Sequence, residues 1–130
     1  MNESILTSVK KINGLPETYE AFDADMIMHI NTVLMILTQM GIGPASGFTI
    51  ESDKETWSDF LGEELKQLAG IKSYVAFRVR LMFDTPQNQA TVNALNETVK
   101  DLEYRLYISQ NPKNTFTAEP VNDAYEEEED

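Results

Sequence analysis

The chain is 130 residues long, one domain's worth of sequence, with 42% hydrophobic and 25% charged residues. Asp and Glu outnumber Lys and Arg by 22 to 10, a formal net charge of -12. This argues against a surface built to neutralise nucleic-acid phosphates or to bind an anionic membrane. Cysteine is absent, which excludes disulfides, thiolate catalysis and cysteine metal sites; the single histidine, His29, leaves neither a His pair for zinc nor a spare base for a triad.

Residues 5–12 predict a short amphipathic helix. Ile5, Leu6, Val9 and Ile12 recur at spacings of three and four, while Glu3, Ser4, Lys10 and Lys11 fall elsewhere. An acid at the start and lysines at the end suit the helix dipole. Asn13-Gly14 ends this helix, and Leu15-Pro16 opens a linker. No signal peptide is expected in residues 1–12, which carry Glu3 early, Lys10 and Lys11 late, and no small-residue cleavage site.

A second helix follows, with Asp23 or Asp25 as its cap and Gly41 as its stop. Its apolar positions, from Met26 through Met28, Ile30, Val33, Met35 and Leu37 to Met40, cover most of the circumference. Such a helix is buried on more than one side, either at the centre of the core or with one side left for a neighbouring subunit. Its methionines form an adaptable surface. Residues 26–50 hold no Asp, Glu, Lys or Arg. The unbroken helical part is nevertheless short for a membrane span of ~20 residues, and it reads as a buried helix followed by a loop.

Gly41-Ile42-Gly43-Pro44-Ala45-Ser46-Gly47 is that loop, and Phe48-Thr49-Ile50 alternates as a short extended segment would. Residues 56–61 predict one helical turn. A third helix is expected over 65–83, with Leu65, Leu68, Ile71, Val75, Val79 and Met82 on one stripe, widened by Tyr74, Phe77 and Leu81 and weakened by Gly70. Asp84-Thr85-Pro86 reads as a stop and restart, with Thr85 or Asp84 as cap and Pro86 in the first turn. A fourth helix over 87–109 carries the tidiest stripe, Val92, Leu95, Val99, Leu102 and Leu106, and Asn111-Pro112 ends it.

The charge is uneven. Residues 1–110 hold 15 acids and 9 bases; residues 111–130 hold 7 acids and one base, Lys113. So little apolar content cannot offset the ordering entropy of the last segment. The expected architecture is therefore all-α: a small bundle of about four helices over residues 1–110, with a loop and short extended segment, and a disordered acidic C-terminal tail over 111–130.

Nothing in the chain points to catalysis, to a cofactor or to a metal. There is no glycine-rich phosphate loop, no Gly-x-Ser-x-Gly and no metal spacing. His29 reads as a packed or interface histidine with one hydrogen bond, and Val33 stands at its i+4 position. Glu63-Glu64 and Asp23-x-Asp25 read as caps and solvated charge; no glycine follows to make a calcium loop of the latter. Arg78 and Arg80, with Lys72, form the basic group of the third helix. Arg80 can pair with Asp84 at i+4, or the group can meet an acidic partner. Trp57 and Phe60 read either as a lid on the core or as anchors at a protein interface. The candidate partner-interface residues are Trp57, Phe60, Arg78, Arg80, Tyr104, Arg105 and Tyr125.

The order of segments carries a further signal. The amphipathic start is followed by Tyr19-Glu20-Ala21-Phe22-Asp23-Ala24-Asp25-Met26-Ile27-Met28-His29-Ile30-Asn31, by Gly41-Ile42-Gly43-Pro44 and by Phe48-Thr49-Ile50. Trp57-Ser58-Asp59-Phe60, Lys72-Ser73-Tyr74-Val75, Arg78-Val79-Arg80-Leu81, Phe83-Asp84-Thr85-Pro86 and Leu102-Glu103-Tyr104-Arg105-Leu106 complete the series. Over residues 3–110 this resembles the head–tail connector (adaptor) proteins of long-tailed bacteriophages and related prophages. Residues 23–31 and 72–86 are its most telling segments.

The resemblance implies a non-enzymatic virion protein, assembled in the host cytoplasm and often monomeric until it meets the portal protein. It implies a ring of about a dozen copies beneath the portal, closed by contacts of each copy with the next. Such a ring extends the DNA channel and offers a platform to the stopper (head-completion) protein and the tail. DNA would pass through without specific binding, and the acidic balance suits a wall along which like charge slides. The tail suits a segment that orders on docking into the portal. The competing reading is an acidic DNA mimic, or a prophage interaction protein, that inhibits a host factor. A mimic needs a regular run of carboxylates on rigid structure, whereas the densest run here lies in the tail.

Overall fold

The computed structural model describes residues 3–83 and 85–110. Five helices stand in the order α1 (Ile5–Ile12), α2 (Asp23–Gln39), α3 (Trp57–Leu61), α4 (Leu68–Phe83) and α5 (Gln89–Gln110), and no strand occurs among the described residues. This is the all-α bundle that the apolar periodicity predicts, with the expected turn at 56–61 forming a helix of its own. The acidic tail over 111–130 lies outside the described residues.

Helix α4 is the hub. It packs against α2, α5 and α1, and its Ile71, Tyr74, Val75, Ala76 and Val79 are buried. Helix α2 contributes Met26, Ile30, Val33, Leu34 and Leu37 to the same core but leaves Met28 and Met35 more than half exposed. Of the two placements open for α2, one side is thus left uncovered, and the central position falls to α4. Helix α5 lies on the outside of α4. It buries only Val99 and Leu106, while Val92, Leu95 and Leu102 of its stripe are half-buried, because α4 is its one extensive helical neighbour.

The helix starts depart from expectation in three places. Asp23 opens α2 rather than capping it; Phe22 stands at the cap position without a side-chain bond, and Asp23 and Asp25 lie in the first turn, where negative charge suits the dipole. Helix α4 begins at Leu68 instead of residue 65, after the turn through Gly62. Before α5, neither Thr85 nor Pro86 sets the start. The Thr85 hydroxyl donates back to the Leu81 carbonyl at 2.6 Å, and Asn88 accepts from the Thr91 N–H at 3.2 Å instead. Asp84, the other expected cap, lies outside the described residues.

Helices α1 and α3 are tied start to start. Ser4 caps α1 by accepting from Thr7 N–H, and Thr56 and Asp59 form a reciprocal capping box on α3. The two caps face one another through an antiparallel bridge, Ile5 N–H to Glu55 O at 3.0 Å and Trp57 N–H to Glu3 O at 3.2 Å. The tie places the Trp57 indole in the core, where its Nε1 donates to Ser8 Oγ at 2.9 Å. Asn31 of α2 holds the extended segment before it: Nδ2 donates to Ile50 O at 3.0 Å and Oδ1 accepts from Ile50 N–H at 2.8 Å. A single side chain thus substitutes for the strand pairing that residues 48–50 lack.

Lys10 is the unexpected core residue. Periodicity places it on the polar face, yet it is 3% exposed. Its ammonium donates to Asp23 Oδ1 at 2.9 Å and to the Glu17 carbonyl at 3.1 Å, binding the linker and the start of α2 to α1. The paired carboxylate and the carbonyl offset the desolvation of the buried charge.

Candidate functional site

The described residues contain no group of three or more His, Asp or Glu side chains placed to hold a metal, and no helix long and apolar enough to cross a membrane. The features that remain are surfaces: one at each end of the bundle, and between them the flank of α2, where the exposed Met28 and Met35 lie beside Phe48.

At the end where α2 begins, aromatic rings form an edge-to-face ladder. Tyr19 meets Phe22 at 5.6 Å between centroids, Phe22 meets Phe83 at 5.3 Å, and His29 meets Phe83 at 6.3 Å. His29 is therefore a packed histidine on the flank of this ladder, half-buried beside Phe83. Tyr19, Phe22 and Met82 are about two-fifths exposed. The acids Glu17, Glu20 and Asp25 stand exposed around them.

At the other end, the last turns of α5 run beside the last turns of α2. Tyr104, Tyr107, Ile36, Gln39 and Met40 line an open groove of about 540 Å³, with Lys100 and Glu103 at its edge. Tyr104 is 60% exposed. Glu103 joins the groove to the core: its Oε2 accepts from Tyr74 OH at 2.6 Å and from Arg78 NH1 at 3.1 Å, and the Arg78 guanidinium lies over the Tyr74 ring. Burial, reinforced by the Glu103 carboxylate, pushes the Tyr74 phenol well above its ordinary range, so it stays a donor. The charged pair between α4 and α5 is thereby fixed in one geometry.

The residues singled out from the sequence fare differently. Trp57 and Phe60 are core side chains, 0% and 1% exposed, so they present no surface to a partner in this fold. The basic group of α4 is divided. Lys72 holds Glu3 at 2.7 Å, which keeps the Glu3 carboxyl below its usual value, and Arg78 holds Glu103. Arg80 is half-buried, and its Nε has no partner among the described residues; the pairing with Asp84 lies outside them. Tyr104 and Arg105 are exposed on α5, with Arg105 bound to Asp101 one turn back at 2.8 Å. Tyr125 lies outside the described residues. Sequence reasoning passed over Tyr19, Phe22, Met82 and Tyr107 as surface anchors. The available signal was Tyr19-x-x-Phe22 in a linker otherwise acidic and polar, where large rings have no helix face to hide in.

The family model of the phage connector proteins matches residues 5–113 of this chain. No curated protein and no solved structure matches it. The match spans every described helix, and the chain belongs to the phage connector family, whose members are structural rather than catalytic proteins.

Proposed function

We propose that this connector assembles as a ring beneath the portal of the DNA-filled head, extends the DNA channel and offers its far face to the stopper protein and then the tail. The observation that carries the reading is the family match across the whole helical domain. The surfaces support it: exposed rings at both ends of a small acidic bundle, and the uncovered Met28 and Met35 on the flank of α2, are what a protein built into an assembly leaves uncovered before it assembles. The acids of the described residues, from Glu3 to Glu103, are scattered along the chain, which leaves the DNA-mimic reading without support from them.

In this proposal the domain comprises residues 1–110, and the acidic segment 111–130 docks into the portal. DNA passes the ring without specific binding, since an excess of carboxylates offers phosphates no counter-charge. The exposed Tyr104 and Arg105 serve protein contacts. The test is to mix purified chain with portal-bearing heads and image the vertex. A discrete ring on the portal is expected, and its absence at saturating protein overturns the reading. Removing residues 111–130 is expected to abolish attachment; undiminished attachment discards the role of that segment.

A further inference from the structure

The two exposed apolar ends of the bundle differ in charge. Around Tyr19, Phe22 and Met82 stand Glu17, Glu20 and Asp25, and none of the three carboxylates is in an ion pair among the described residues. Around Tyr104 and Tyr107 the acids are already engaged: Asp101 with Arg105, and Glu103 with Arg78 and Tyr74. Lys100, at the edge of the same groove, is in no ion pair among the described residues. One end therefore combines exposed aromatic area with uncompensated negative charge. The other combines it with Lys100, a cation in no ion pair, with Glu97 exposed one turn before it on α5.

From this complementarity we infer that the acid-rimmed ring ladder of one copy docks on the Tyr104–Tyr107 groove beside Lys100 of the next. The inference rests on the connector reading for the claim that copies stand side by side, and it names the surfaces through which they do so. The alternative pairing of like ends is disfavoured. Two acid-rimmed ends repel, and two Lys100 ends gain no counter-charge. Each copy uses both ends once, so the contact is heterologous and propagates from copy to copy, closing when the rotation permits. The ends are well separated within one molecule. Ile36 lies fourteen residue steps along α2 from Phe22, which at ~1.5 Å each amounts to ~21 Å. A copy cannot satisfy its own groove.

The chain has no cysteine, so introduced thiols report on contacts cleanly. Thr18→Cys beside the ring ladder and Gln39→Cys at the groove, which leave the contacting rings in place, are prepared separately, with Ser46→Cys on the exposed loop as control. They are mixed under mild oxidation at high concentration. Intramolecular closure of the double variant is excluded, because a disulfide requires Cα atoms within ~7 Å. The expected result is a Thr18→Cys/Gln39→Cys heterodimer formed at least tenfold faster than any product containing Ser46→Cys, and a ladder of covalent multimers from the double variant. Glu20→Lys or Lys100→Glu alone is expected to lower the yield several-fold at low salt, and the two combined to restore it.

Homodimers of either variant at the heterodimer's rate, or no excess over the control, overturn the proposal. Trapping at high concentration captures a contact too weak to hold free copies together, and it needs no heads, so the two readings fail separately. Heads that bind the chain while trapping fails remove this contact and leave the connector; trapping without attachment to heads does the reverse.

Discussion

Gly43 offers a measurement of how tightly α3 is seated. It adopts φ +83°, and a Cβ added there would lie within van der Waals overlap of the Phe60 ring, whose Cζ would be 2.9 Å away. Phe60 is 1% exposed and tilts against Phe48 at 5.4 Å between centroids, so the ring cannot simply swing outward. Two costs add in Gly43→Ala. Left-handed backbone with a Cβ costs about 1–2 kcal/mol, and overpacking a filled core costs about 1–3 kcal/mol.

Gly47→Ala isolates the second cost. Gly47 has φ +98°, in the same loop, but nothing lies within 4 Å of its added Cβ. Both substitutions change the unfolded chain alike, so that contribution cancels in the difference. Urea unfolding followed by circular dichroism is expected to place Gly43→Ala about 1–3 kcal/mol below Gly47→Ala. For a domain of this size that corresponds to a melting temperature lower by roughly 4–15 °C. Equal stability of the two variants would refute the seating of Phe60 against the 41–44 loop, and with it the account of how α3 closes the core.

Lys10→Ala removes the buried ammonium from Asp23 and from the Glu17 carbonyl. Because Asp23 retains 27% side-chain exposure and sits at a helix start, the expected loss is about 2 kcal/mol rather than the full ~3–5 kcal/mol of a sealed pair. Lys10→Met, which keeps the volume, should lose less in the same unfolding assay. Glu3 is held charged by Lys72, so its carboxyl in the fold titrates below its ordinary value; its contribution is fully present above that ordinary value and lost as pH falls through the lowered one. The stability gap between the parent chain and Glu3→Gln should therefore shrink between pH 6 and pH 3, and a constant gap would count against the pair. Gly70→Ala places a Cβ 4.0 Å from Leu106 Cδ2, an ordinary contact, and, in the first turn of α4, should raise stability by up to about 1 kcal/mol in thermal melts.

How far the chain can be read from its letters varies by element. Residues 5–12 and the body of α2, α4 and α5 follow from apolar spacing, since a helix needs only local hydrogen bonds and one greasy side to declare itself. The connector resemblance was legible for a related reason: segment order is a property of the chain. The starts of α2 and α5 were not legible, because several residues near each start can cap and the choice depends on neighbours. Asp23 is drawn away by Lys10, and Asn88 stands where Thr85 turns back to Leu81.

Composition and spacing alone determined that this is an acidic, cysteine-free, all-α domain, because charge balance and periodicity add along the chain. Tertiary structure alone decided which side chains face out. It sank Trp57 and Phe60 into the core through the pairing of two helix caps, buried Lys10 on a linker carbonyl and Asp23, and left Tyr19, Phe22, Tyr104 and Met35 uncovered. Exposure depends on what the remote chain brings alongside a residue, and contacts between Ser4 and Thr56 or between Glu103 and Arg78 join positions that no local pattern relates.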